Sequence, residues 1–189
     1  MNKVKFGLKN VHYAKATIAN DNTYSYATPV AIPGAVNMSL SASGEDLDFH
    51  ADDVIYFSDS DNQGYEGDLE LALLPKSFLK DILGYTEDAN GALFENANDK
   101  ISPFALGFEV QGDEKGRRTW LYNCVAKRPN NDASTKENSK TPKTETLSIK
   151  VMPRKGDKQV KGVLEETADN TTAYNGFFSA VYEKQNASV

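Results

Sequence analysis

Ala35-Val36-Asn37-Met38-Ser39-Leu40-Ser41-Ala42-Ser43 alternates apolar and polar residues without a break. Val36, Met38, Leu40 and Ala42 fall on one face, and Asn37, Ser39, Ser41 and Ser43 on the other. Successive side chains of a strand point to opposite sides, so this spacing predicts a half-buried β-strand rather than a helix.

The same period recurs outward along the chain. In residues 65–74, Leu69, Leu71 and Leu73 point one way, and Glu66, Asp68 and Glu70 the other. Phe104, Leu106, Phe108 and Val110 share a face in a further strand, and the turn cluster Gly112–Gly116 joins it to Arg118–Lys127 as a hairpin. Residues 11–18 are rich in strand formers, and Leu147, Ile149 and Val151 mark another strand. One segment has helical spacing: Pro75 as first helical residue, then Phe78, Leu79, Ile82 and Leu83 as one apolar stripe, with Gly84 as the stop. A helix of about ten residues must dock on something to be stable. The residues therefore predict a mainly β, mostly antiparallel structure partly covered by one short α-helix. Residues 86–103, with apolar anchors Leu93 and Phe94, and the polar residues 128–143 exceed ordinary connections and are expected to be long loops. No repeat or boundary divides the chain, so one domain over 1–189 is expected, with a frayed end at about 185–189.

With 189 residues the chain can bury a core without disulfides, and its single cysteine, Cys124, allows none within the chain. This suits synthesis in a reducing cytoplasm. Met1–Gly7 carries charges with no apolar run after them, so no signal peptide is expected. No stretch approaches the roughly 20 apolar residues of a membrane helix, and no membrane partner is expected. The net charge of -6 argues against general affinity for nucleic acid, because an acidic surface repels phosphates.

Charge is unevenly spread. Glu45, Asp46, Asp48, Asp52, Asp53, Asp59, Asp61, Glu66, Asp68 and Glu70 crowd Gly44–Glu70 without one Lys or Arg. Lys127, Arg128, Lys136, Lys140, Lys143, Lys150, Arg154, Lys155, Lys158 and Lys161 dominate the stretch from 127 to 161. Such runs are ordinary solvated surfaces or, read more sharply, one acidic and one basic surface on one molecule. Surfaces that complement each other but not themselves favour head-to-tail contacts, which build rings and filaments.

A search for chemistry returns little. No phosphate loop, GxSxG elbow or HExxH helix is present. Cys124 lies in the strand pattern Trp120–Val125 and reads as a small buried hydrophobe rather than a nucleophile. His50 among Asp46, Asp48, Asp52 and Asp53 reads as a surface or hydrogen-bonded histidine rather than a metal ligand. Asp59, Asp61, Gln63, Gly64 and Glu70 have the spacing of an EF-hand loop, but strand-like flanks and Glu66 at the usual apolar position make an acidic hairpin tip the better reading. No catalytic residue, cofactor or metal site is expected.

Several blocks together resemble the major tail protein family of siphophages that infect Gram-positive bacteria. They are Phe6–Val11 with Tyr13, Val30–Val36, Ala51–Asp53 with Tyr56-Phe57, Gly64–Leu71, Phe104–Glu109, Leu121–Ala126 and Thr144–Ile149, and they span nearly the whole chain up to about Pro153. The resemblance implies a β-sandwich or barrel-like tail tube subunit that catalyses nothing. Copies would form hexameric rings, stacked head to tail into the hollow tail of a virion assembled in the host bacterial cytoplasm. The tube would enclose the tape measure protein, meet tail terminator and distal tail proteins at its ends, and conduct DNA at infection. The polar rows Asn37/Ser39/Ser41/Ser43 and Glu66/Asp68/Glu70 are candidates for the lumen wall, with Thr146, Ser148 and Lys150 as a third. The Gly44–Gly67 region, with Glu45, Asp46, Asp48, Asp52 and Asp53, is expected to form a long inter-subunit loop or hairpin. Its candidate counter-surface is Lys127, Arg128, Lys136, Lys140 and Lys143. A tail terminator or secretion-type tube of related fold, and a calcium- or carbohydrate-binding β-sandwich module, are the rival readings.

Overall fold

Gly112–Gly116 turns the chain back on itself, and the strands on either side pair antiparallel, with Phe108 opposite Thr119 and Leu106 opposite Leu121. This hairpin is the middle of the sheet. The computed structural model describes residues 3–131 and 143–185. In chain order the elements are β1 (Lys5–Ile18), β2 (Tyr24–Tyr26), β3 (Val30–Ala31), β4 (Ala35–Ser43), β5 (Asp46–Ala51), β6 (Val54–Ser60), β7 (Gly64–Leu71) and α1 (Lys76–Asp81). There follow β8 (Thr86–Glu87), β9 (Leu93–Phe94), β10 (Phe104–Gly112), β11 (Arg117–Ala126), β12 (Glu145–Val151), β13 (Lys161–Glu165) and α2 (Thr171–Asn175). The fold is mainly β, antiparallel and sandwich- or barrel-like.

The main sheet runs β2-β1-β10-β11-β12-β7-β4. Two strands share the far side of the long β11: β13 pairs with its first half and β12 with its last residues. Such sharing lets the sheet bend away from one plane. On one face Phe104, Leu106, Leu69, Leu71, Leu147 and Ile149 form the main core. α1 docks there through Phe78, whose ring meets Tyr13 and Phe104 edge-on at 5.1 and 5.5 Å. The helix has six residues rather than ten, Pro75 caps it instead of opening it, and Gly84 at φ +85° ends the segment.

β10 is covered on its other face as well. Ala105 and Gly107 lie beneath Trp120 and Tyr122, and the carboxy-terminal segment closes over them with Phe177. The Trp120 indole N–H donates to the Phe177 carbonyl (2.9 Å), and the Tyr122 hydroxyl to the Tyr182 carbonyl (2.7 Å). α2 was not expected from the sequence, because Thr171–Asn175 is polar and too short to show a stripe. Buried Arg154 secures the same segment. Its guanidinium donates to both carboxylate oxygens of Glu183 (2.7 and 3.0 Å) and also holds Asp157.

Three local expectations are corrected. A bulge between Ala35 and Asn37 breaks the alternation at Val36, and both Val36 and Ala42, expected to be buried with Met38 and Leu40, are exposed. β7 ends at Leu71, which leaves Leu73 in solvent. Residues 86–103 carry a small hairpin, β8–β9, in which Leu93 is half-buried and Phe94, expected as an anchor, is exposed. Most of the expected loop 128–143 and of the expected frayed end lies outside the described residues.

Candidate functional site

Register brings the three polar rows together. Asn37, Glu70 and Thr146 lie side by side across β4, β7 and β12; so do Ser39, Asp68 and Ser148, and then Ser41, Glu66 and Lys150. Residues directly paired across an antiparallel ladder point to the same side, so these nine form one continuous polar face. Ser43 extends the β4 row opposite Gly64. The Ser148 hydroxyl donates to Asp68 (2.7 Å) and Thr144 to Glu70 (2.6 Å), which fixes part of the face. The opposite side of these strands is the core, with Leu69, Leu147 and Ile149 buried.

Between β4 and β7 the chain leaves the sheet. β5 and β6 form a separate two-stranded hairpin, here called the arm. Asp52 and Asp53 sit at its tip with φ of 52° and 62°. Two successive left-handed residues are the signature of the two-residue hairpin turn whose twist matches the strands. The tip is therefore Asp52-Asp53. The stretch Asp59–Gly64, expected to be the tip, is instead the end of β6, a three-residue link and the start of β7. Its side chains cap local backbone: Asn62 accepts from the Gly64 N–H (3.1 Å), and Asp59 from that of Ser60 (3.0 Å). Glu70, the last member of the calcium-like spacing, belongs to the polar sheet face. Among the described residues no cluster of His, Cys, Asp or Glu is arranged to hold a metal.

The arm is not only acidic. Leu47 and Phe49 project to the same side of β5, and their partners in β6 include Phe57 opposite Phe49. Leu47, Phe49, Val54, Ile55, Tyr56 and Phe57 are between 52% and 73% exposed. Asp46, Asp48 and His50 take the other face of β5. Sequence reading weighed the acids here and overlooked the apolar residues between them, although Val54–Phe57 was on view as a strand.

A second apolar surface was not foreseen at all. An open cleft of about 1040 Å³ separates the first residues of β1 from β4. Its floor includes Phe108, Val110 and Leu121, the unfilled end of the main core. Its walls carry Val4, Phe6, Val36 and Val163, each 48% to 63% exposed. Lys3, Lys5, Arg117 and Lys161 line it too, and no carboxylate does. The signal in sequence was faint, because the cleft joins strands far apart in the chain.

The proposed basic counter-surface falls only partly within the described residues. Lys136 and Lys140 lie outside the described residues. Lys127 and Lys143 are exposed, while Arg128 is engaged by Glu95 of its own chain (2.6 Å). The wider basic run is dispersed: Arg154 is buried, Lys150 sits on the polar face and Lys161 in the cleft. Cys124 is fully buried, and burial pushes its thiol far above the ordinary range, which disfavours the reactive thiolate. His50 is exposed on the arm, and His12 stacks on Phe178 at 4.7 Å.

No protein-family model matches the chain, and no curated protein matches it in sequence.

Proposed function

We propose that this chain is a structural subunit which assembles with copies of itself into a hollow tube, as the major tail tube protein of a long-tailed phage. The observation that carries this reading is the arm. A hairpin standing off the sheet with six large apolar side chains in water is a poor arrangement for a solitary molecule. It is a good one for a subunit whose apolar surface is covered in an assembly.

The polar face of β4, β7 and β12 supports the same reading. An inner wall holding water must be polar, and three acids against one lysine in its nine positions would repel DNA phosphates rather than retain them. In this reading the chain works by assembling and catalyses nothing. Its partners are its own copies in hexameric rings, a tape measure protein within, terminator and distal proteins at the ends, and DNA in transit through the virion tail.

Negative-stain imaging of concentrated protein at low salt tests the proposal. Rings or tubes with a stained lumen are expected. Solitary particles at every concentration contradict it, and a calcium-induced rise in melting temperature in those particles would favour the binding-module alternative.

A further inference from the structure

We infer that the cleft between β1 and β4 is the seat for the β5–β6 arm of a second copy of the chain. The inference rests on the assembly reading above and adds to it the receiving surface.

Arm and cleft are the two places where apolar side chains collect in water. Between them they hold ten of the fourteen exposed large apolar side chains among the described residues. Their charges are opposite. The arm carries Asp46, Asp48, Asp52, Asp53 and Asp59 and no Lys or Arg. The cleft is lined by four cations and no carboxylate. Arg117 among them is already paired with Glu165 (2.6 Å), whereas Lys161 donates to the Tyr65 hydroxyl (2.6 Å) rather than to a carboxylate. The lysines are therefore the groups an incoming acid would meet.

Backbone points the same way. Among the described residues, β4 pairs only with β7, and the first half of β1 only with β10. Two open strand edges thus flank the cleft, and an entering β-hairpin can add hydrogen bonds along either. The arm of the same chain does not fill the cleft, since none of its residues lines it. The complement of each surface is present on the chain but is met only by a second copy. An arm-to-cleft contact joins different patches, so it is head-to-tail, and repetition yields a ring or a filament.

Sedimentation at low salt tests this with charge reversal. Lys5→Glu with Lys161→Glu in the cleft, and separately Asp46→Lys with Asp48→Lys on the arm, should each raise the concentration at which association begins by roughly tenfold. The chain carrying all four changes should return towards wild type. These residues are exposed or on the cleft wall, and an unchanged circular dichroism spectrum checks that each variant folds. A second arm of the experiment does not depend on ion pairs. Chains with residues 46–60 replaced by a short turn keep the cleft, and Lys5→Glu/Lys161→Glu chains keep the arm. Mixed, the two should form a 1:1 complex that grows no further. Wild-type association together with unaffected reversal variants, or with no complex in the mixture, overturns the cleft assignment while leaving the tube reading intact. Wild-type chains that never associate overturn both.

Discussion

Gly107 and Trp120 face each other across β10 and β11, and the indole lies flat over the glycine. A Cβ at residue 107 would stand 2.7 Å from two ring carbons of Trp120, well inside contact distance. The indole cannot retreat, because its N–H is held by the Phe177 carbonyl and its other face by the carboxy-terminal segment. Gly107→Ala is therefore expected to lose about 1–3 kcal/mol in urea unfolding, the usual range for overpacking a tight core. Glu109, two residues on, shows how a buried acid is tolerated. Burial opposes its ionisation, but hydrogen bonds from Asn10, Lys9 and Arg118 outweigh that and hold its carboxyl below the ordinary range.

At the scale of elements, the strands were the most legible part of the chain. Alternation in 35–43 and 104–110 marked β4 and β10 as strands, and both stand where it placed them, although β10 proves buried on both faces. What escaped was whatever alternation does not encode. The bulge at Val36 depends on how β4 meets β7. α2 and the segment after it are held by Arg118, Trp120 and Tyr122, some 60 residues earlier in sequence, not by a stripe of their own. The three polar rows were visible singly, whereas their union into one face is a property of register. The arm was legible as an acidic excursion but not as an apolar one, since nothing local said that Phe49 and Phe57 would find no core. The carboxy-terminal segment carries its own prediction. Arg154 clasps Glu183 and Asp157 and lies over the Tyr122 ring at 4.7 Å. Arg154→Ala should cost about 2 kcal/mol in the same unfolding measurement, the scale of losing charged hydrogen bonds from a buried donor. Hydrogen exchange should quicken first at the amides of residues 176–183.

The whole molecule combines a well-packed sheet with surfaces that its own fold leaves incomplete. The central strands β10 and β11 are covered on both faces, every buried side-chain polar atom among the described residues has a hydrogen-bond partner, and ion pairs such as Lys9–Glu109 and Arg154–Glu183 tie together segments far apart in the chain. Against that order stand the apolar arm, the open cleft and the bare edges of β1 and β4 that flank it. Such a division suits a protein whose fold is finished alone and whose work is finished in company. Amide hydrogen exchange followed over a concentration series at low salt tests this most directly. The account predicts that residues 46–60 exchange rapidly in dilute solution and become protected as the chains associate, while β10 and β11 stay slow throughout. An arm already protected in the dilute chain, or one that exchanges as fast in associated material as in dilute solution, would contradict it.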